Sequence, residues 1–204
     1  MPSVAAPDEL HIIACGALAG ELRAVLGQLG ASDTVTVEYL ASSLHNHPDQ
    51  IPGRVDDMLT HHAGKRLVVA YADCGTGGLL DVVLERHGVE RLPGAHCYEF
   101  FAGSDTFHAL HDAEPGTFYL TDFLARHFHQ LVWVGLGLDR HPELRDSYFG
   151  NYTRVVLLAQ SNDPGIEATA RAAATQLGLA FELHPVGRTP FRRSLSHLLT
   201  KVAV

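Results

Sequence analysis

The sequence predicts an α/β fold in which a mostly parallel sheet carries helices on both faces. Two observations support this fold class. Short runs rich in Val, Ile and Leu, typical of buried strands, alternate with segments whose apolar residues recur at helical spacing. The helical segments are about 10 to 15 residues long, which is the length of the crossover that joins two parallel strands.

The first half of the chain contains the clearest alternation. The apolar run 10–14 predicts a strand that ends at Cys15 and Gly16, and the leucine and valine spacing over 17–30 predicts a helix with a glycine stop. The segments that follow are predicted as a strand over 34–40, a helix over 49–62, a strand over 67–72, a helix over 78–87, a short ambiguous segment at 89–92, a strand-like segment over 95–101 and a helix over 104–111.

The second half repeats this pattern more loosely. Its predicted elements are a strand or helix start at 117–121, helices over 123–134 and 142–149, a strand over 154–160, an alanine-rich helix over 166–177, a strand over 181–186 and a terminal helix or tail over 186–200. We therefore expect one domain over 1–204, with two pseudo-repeated halves at about 8–112 and 113–204.

Composition and charge restrict the partners that we expect. The chain has 204 residues, 46% of them hydrophobic, and a net charge of −8 with no basic run longer than Arg192-Arg193. This balance argues against nucleic acids and anionic membrane surfaces, and it leaves small molecules and proteins as partners. No apolar run has the length of a membrane span, and the first residues lack a basic and a long apolar segment, so we expect a cytoplasmic protein.

The three cysteines, Cys15, Cys74 and Cys97, are each predicted to lie just past the end of a strand or strand-like segment. Ligands of open α/β sheets bind outside the carboxyl ends of the strands, so the fold class predicts that all three thiols lie at one edge of the sheet. Their spacing contains no C-x-x-C knuckle, and a shared metal would have to be gathered by the tertiary fold. The alternative is that the cysteines are buried and only pack.

Zinc is the metal that this ligand set predicts first, and a 4Fe-4S cluster held by three thiolates is the alternative. Three thiolates leave one coordination position for water, for a thiol substrate or for a fourth protein ligand. The candidates for that fourth ligand by motif are His45, His47, His96 and Glu99. Glu99 is also a candidate proton acceptor.

The stretch YADCGTGG, residues 71–78, admits other interpretations. A glycine-rich turn that enters a helix can bind phosphate, but the stretch matches neither G-x-G-x-x-G nor the P-loop, and no lysine follows it. The same helix start favours a thiolate, which makes Cys74 a candidate nucleophile as well as a ligand. Asp73 is a candidate for orienting a ligand histidine or a water, although aspartate is also common at the start of a turn.

Several stretches together resemble an uncharacterised family of cytosolic proteins of about this length. They are IIACGALAGEL, LHNHPDQIP, VVAYADCGTGGLLD, GAHCYEFFAG, GLGLDRHPELRDSYFGNY and LAQSNDPG. Members of that family are often encoded beside corrinoid-dependent methyltransferases, their corrinoid proteins and reductive activators, and the resemblance implies a role in one-carbon metabolism. The chain has no D-x-H-x-x-G loop, so we do not expect it to carry cobalamin itself.

These observations combine into a functional hypothesis. We expect a metal-thiolate protein that acts in, or assists, corrinoid-linked methyl transfer, with Cys15, Cys74 and Cys97 as ligands. In this hypothesis Asp73, His45 and His47 shape the open coordination position. One alternative is a non-catalytic partner of a corrinoid protein or methyltransferase, and another is an enzyme with Cys74 as its nucleophile.

Overall fold

The computed structural model describes residues 10–202 and confirms the predicted fold class, since all paired strands run parallel and helices flank both sheets. The described chain divides into two compact units. The first contains the residues up to Cys97 together with those from Arg192 onward, and the second is Tyr98–Phe191. The division falls after Cys97, whereas the sequence pattern placed it near residue 112.

The first unit contains a four-stranded parallel sheet with the order β2-β1-β3-β4. Its strands are β1 Leu10–Cys15, β2 Val35–Leu40, β3 Arg66–Ala70 and β4 Glu90–Arg91, and its helices are α1 Ala19–Gln28, α2 Ile51–His61 and α3 Leu79–His87. Short 3₁₀ helices cover Gly16–Leu18, Ser42–Asn46 and Pro48–Gln50. Strand β1 is buried along its whole length, which explains its continuous apolar run and its place inside the sheet.

The second unit contains a three-stranded parallel sheet with the order β5-β6-β7. Its strands are β5 Thr117–Thr121, β6 Arg154–Ala159 and β7 Ala180–Pro185, and its helices are α5 Ser104–Ala113, α6 Asp122–Arg126, α7 Arg145–Phe149 and α8 Pro164–Leu177. A 3₁₀ helix covers Pro142–Leu144 and a π-helix covers His129–Val134. Helices α4 Cys97–Ala102 and α9 Thr189–Lys201 contain the two points at which the chain passes between the units.

Two segments differ from the sequence-based expectation. The single helix expected over 123–134 is broken, because α6 ends at Arg126 and a π-helix follows it. This stretch contains Phe128, Val132, Trp133 and Val134, and aromatic and β-branched residues have lower helix propensity than straight-chain ones. The segment expected to be strand-like over 95–101 is instead helix α4 from Cys97 onward.

No helix within residues 10–202 is both long enough and apolar enough to cross a lipid bilayer.

Candidate functional site

The carboxyl edge of the first sheet carries most of the predicted ligand residues. Strand β1 ends at Cys15, and Tyr71 and Cys74 follow the end of β3. His45 lies in the 3₁₀ helix after β2. Because β2, β1 and β3 are parallel neighbours, these side chains come after the same ends of adjacent strands.

Close packing of two strand ends positions Cys15. Its Sγ accepts a hydrogen bond from the Ala17 backbone N–H at 3.3 Å and so caps the following 3₁₀ helix. A Cβ atom on Gly16 would lie 2.8 Å from the Leu40 carbonyl oxygen. Glycine at position 16 therefore allows the end of β1 to approach the end of β2.

His45 brings the loop after β2 to the thiols. Its Nδ1 lies 3.8 Å from Cys15 Sγ and 3.0 Å from the Ser42 carbonyl oxygen. The Ser42 contact fits an Nδ1–H donor, which leaves the Nε2 lone pair available as an acceptor or ligand. The imidazole ring also stacks on Tyr71, with ring centroids 6.3 Å apart.

Cys74 occupies an unusual backbone conformation. Its φ of 53° is the one positive φ at a non-glycine position within residues 10–202. A residue in this left-handed region costs of the order of 1 kcal/mol, and such strain is concentrated at functional sites. The Cys74 N–H donates to the Ala95 carbonyl at 2.8 Å, so the loop after β3 pairs with the loop that leads into Cys97.

Asp73 organises the glycine-rich turn. Its Oδ1 accepts from the Thr76 hydroxyl at 2.5 Å and from Gly78 N–H at 2.9 Å, and its Oδ2 accepts from Gly77 N–H at 3.1 Å. Partial burial raises the pKa of Asp73, but these hydrogen bonds outweigh it and hold the pKa below its usual value. The contacts within the turn give this carboxylate a positioning role.

Arg91 supports the same loops from β4, although it was not among the residues predicted from the sequence. Its guanidinium donates to both carboxylate oxygens of Asp81, at 2.5 and 2.9 Å, and to the carbonyls of Leu92 and Gly94. The bidentate pair raises the pKa of Arg91. An arginine that ends a two-residue strand carries no sequence signal that distinguishes it from a solvated charge.

Burial and proximity shift the ionisation of three side chains at this edge. Burial raises the pKa of the Cys15 thiol from 9.0 to about 11. Burial also raises the pKa of Tyr71, and the negative charge that Cys15 gains on ionisation adds to the shift. Burial alone lowers the pKa of His45, but the hydrogen bond and charge of Cys74, together with the Ser42 carbonyl, outweigh it, so that the pKa is raised.

Tyr71 is a further residue of the site that sequence reasoning missed. Its side chain is 1% exposed, and its hydroxyl has no partner at hydrogen-bond geometry within the described chain. The hydroxyl is still close enough to Cys15 to lower the pKa of that thiol. Its position three residues before Cys74 was the available signal, but a tyrosine at a strand end usually only packs.

The remaining predicted residues are Cys97, His47, His96 and Glu99. Cys97 is half-buried and begins α4, two positions after the Ala95 carbonyl that Cys74 contacts, whereas His96 and His47 are exposed. Glu99 belongs to the second unit, where it accepts a hydrogen bond from the Ser104 hydroxyl at 2.9 Å.

In the described chain a different set of side chains has its possible ligand atoms close enough together to bind one metal ion. The ligand atoms of His11, Glu38 and His62 all lie within 4.8 Å of one another, and the three cysteines are not such a set. Neither His11 nor His62 was among the ligands predicted from the sequence. The pairing of β1 with β2 and the position of the end of α2 bring the three residues together, and neither can be read from the sequence.

Comparison with known proteins places the chain in a family. No curated protein matches it. A family model described as a protein of unknown function, DUF1638, matches residues 39–195, which include His45, Cys74 and Cys97 but not Cys15. The match covers most of the sequence, and the chain therefore belongs to this uncharacterised family.

Proposed function

We propose that the carboxyl edge of the first sheet is a metal-thiolate site that serves corrinoid-linked methyl transfer. In this proposal the ligands are the thiolates of Cys15, Cys74 and Cys97, and the fourth is the imidazole of His45. Their ligand atoms do not all lie within 4.8 Å of one another, so the metal would have to draw them together. The observation that carries the proposal is the position of His45, which lies 3.8 Å from Cys15 and interacts with Cys74, a residue that follows a different strand.

The donor set agrees with the chemistry of zinc. Three cysteines and one histidine form one of the common zinc ligand sets, and three cysteines alone can hold a 4Fe-4S cluster. The Ser42 carbonyl holds His45 Nδ1, as carbonyls commonly do for histidines that bind metals through Nε2. The hydrogen bond from Cys74 N–H to the Ala95 carbonyl draws the loop that leads to Cys97 toward Cys74.

The chain's own residues have distinct tasks in this proposal. A bound zinc would supply a Lewis acid, and a thiol acceptor that entered as a fifth ligand or in place of His45 would be kept ionised near neutral pH. Tyr71 excludes water from beneath the site, and Asp73 holds the glycine-rich turn that presents Cys74. In this proposal the exposed side chains of His47 and His96 would shape the entrance for a small thiol or a protein partner. The corrinoid link rests on the family resemblance together with this thiolate chemistry.

A second candidate function is catalysis by Cys74 as a nucleophile. The observation in its favour is the interaction that raises the pKa of His45, since a cysteine thiolate beside a protonated imidazole is the arrangement of thiol enzymes. In this candidate the left-handed backbone of Cys74 presents the sulfur, and Cys15 and Cys97 only pack.

Metal content distinguishes the two candidates. The parent protein, purified without oxygen, is expected to contain a stoichiometric metal, colourless for zinc or brown for an iron–sulfur cluster. Cys15→Ser, Cys74→Ser, Cys97→Ser and His45→Gln should each lower metal content and the thermal midpoint together, because metal binding is coupled to folding. The exposed His129→Gln is the matched control and should retain both.

Other results of these measurements would refute one or both candidates. Equal metal content in the parent and in all variants, zero included, would refute the metal-thiolate proposal. If iodoacetamide at neutral pH then modifies Cys74 alone, and Cys74→Ser retains the fold, the nucleophile candidate is supported. If all three thiols react slowly and equally, that candidate fails as well.

A further inference from the structure

A second group of metal-binding side chains lies at the other end of strand β1. His11 is the second residue of β1 and Cys15 is the last, so the two are separated by about 13 Å along the strand. Glu38 in β2 and His62 after α2 join His11, and the ligand atoms of all three lie within 4.8 Å of one another. This group, the His-Glu-His cluster, is separate from the thiols.

The sheet register explains why the cluster forms. Glu38 is paired with Ile13 of β1, and paired residues in a parallel sheet point to the same face. His11 precedes Ile13 by two positions and therefore shares that face. Glu38 is thus a diagonal neighbour of His11, within reach of a long side chain.

The backbone around His62 places the third ligand. The His62 N–H donates to the Met58 carbonyl at 3.1 Å, and its own carbonyl accepts from Lys65 N–H at 3.1 Å. These bonds anchor the end of α2 and the turn toward β3. The His62 ring lies 5.2 Å from the His11 ring, and its Nε2 lies 2.7 Å from Glu38 Oε1.

The environment of the cluster favours a bound cation. His11 and His62 are 8% and 7% exposed, and the Glu38 side chain is 45% exposed. Imidazole nitrogens can offer lone pairs to a metal, and the two largely buried rings lie side by side. The partly exposed carboxylate supplies negative charge and leaves one side of the cluster open to water.

We propose that His11, Glu38 and His62 bind a divalent transition-metal ion of the zinc class, with at least one coordination position open to solvent. Two imidazole nitrogens and one carboxylate are a ligand set used by zinc, iron and cobalt, whereas magnesium and calcium prefer oxygen ligands alone. Three protein ligands with access to water are characteristic of reactive rather than closed structural sites.

Cobalt substitution tests this site separately from the thiols. Co²⁺ bound by thiolates has a strong sulfur-to-metal charge-transfer absorption in the near ultraviolet, and Co²⁺ bound by imidazole and carboxylate does not. When the metal-free protein is titrated with Co²⁺, we expect one binding step that does not produce the sulfur-to-metal charge-transfer absorption. Glu38→Gln and His62→Gln should each lower the affinity of this site for Co²⁺ at least about tenfold. About tenfold is the smallest effect expected when the surroundings of a bound metal are disrupted.

The exposed neighbour His61 provides the matched control. Its ring lies 4.8 Å from the His62 ring, but it is not part of the cluster, and His61→Gln should retain the binding event. If His62→Gln does not fold, the partly exposed Glu38→Gln decides alone. Absence of a thiolate-free Co²⁺ event in the parent, or equal affinity in parent and Glu38→Gln, overturns the proposal and leaves the Glu38–His62 contact as an ion pair.

Discussion

The carboxyl edges of the two sheets differ in how their polar groups are satisfied. In the second unit Asp122 follows β5 and Gln160 follows β6, and both are buried. The Asp122 N–H donates to Gln160 Oε1 at 2.8 Å, the Gln160 N–H donates to Asp122 Oδ1 at 2.9 Å, and the Ser161 hydroxyl donates to Oδ2 at 2.5 Å. The Gln160 amide also donates to the Leu158 carbonyl.

In the first unit Asp73 is paired within its own turn, but the described groups around Cys15 are less completely paired. Its edge contains two thiols, an imidazole and a phenol, joined by contacts such as the 3.8 Å separation of Cys15 and His45. The Tyr71 hydroxyl is buried without a partner at hydrogen-bond geometry. A polar network that is complete stabilises its own fold, whereas one that is incomplete has capacity for a ligand. The hydroxyl of Tyr119 in the second unit is also buried without a hydrogen-bond partner, so the contrast between the two edges rests on the thiols and the imidazole of the first.

The strongest test of this comparison is removal of the closed network. Asp122→Ala should lower the free energy of unfolding by about 3 kcal/mol, because the buried Gln160 N–H and the Ser161 hydroxyl lose their acceptor. Asp122→Asn retains one carbonyl oxygen and should lose less. Urea denaturation measures both, with the exposed Asp112→Ala as control. A change below about 0.5 kcal/mol for Asp122→Ala would mean that the network is not structural.

Alkaline pH provides the next test, at the open edge. The folded-state pKa of Cys15 is raised from 9.0 to about 11, so its contribution to stability is fully present below pH 9 and is lost as pH rises toward 11. Linkage predicts a loss of about 2 to 3 kcal/mol over this range in the metal-free protein. The Cys15→Ala variant should not show this loss of stability. The difference between the pH–stability profiles of parent and variant therefore gives the contribution of Cys15, separate from that of other titrating groups.

The same alkaline stability profile, measured with metal bound, tests whether Cys15 is a ligand. If Cys15 is a ligand, the metal holds it as a thiolate at all these pH values, and the loaded protein should not lose stability between pH 9 and pH 11 through this group. Identical alkaline profiles for loaded and metal-free protein would contradict ligation by Cys15, and identical profiles for parent and Cys15→Ala would contradict the burial of its thiol.

A pair of glycines tests the close approach of the strand ends, with a smaller expected effect. Gly16→Ala should cost about 1 to 3 kcal/mol, because the new Cβ would lie 2.8 Å from the rigid Leu40 carbonyl oxygen. Gly20→Ala, in α1, meets nothing within 4 Å and should instead stabilise the protein by up to about 1 kcal/mol. Thermal unfolding distinguishes the two, and equal effects would show that β1 and β2 are not held closely at this edge.

Much of the fold was predictable because its signals are local. The buried runs of β1, β3 and β6 were identified within about two residues of their bounds, and α8 was identified from its alanine-rich periodicity. Failures occurred where local signals were weak, as at the π-helical stretch His129–Val134 and at α4. A two-residue strand such as β4 has too few residues to show any period.

The candidate site was predictable to a lesser degree. The positions of Cys15, Cys74 and His45 after strand ends follow from the βαβ pattern. Because ligands of parallel sheets bind outside the carboxyl ends of the strands, the sequence predicted a site at that edge. The contacts of Arg91 and the contact of Tyr71 with Cys15 depend on side-chain geometry that no spacing in the chain encodes.

The sequence by itself determined the α/β class, the parallel pairing and the placement of Cys15 and Cys74 after apolar runs, because periodicity and composition are properties of neighbouring residues. Only the tertiary structure decided that His45 interacts with both Cys15 and Cys74, that Asp73 organises its own turn, and that His11, Glu38 and His62 converge. Strand register and helix packing bring together residues that are distant in the chain, and both are set by the burial of the whole core rather than by any one segment.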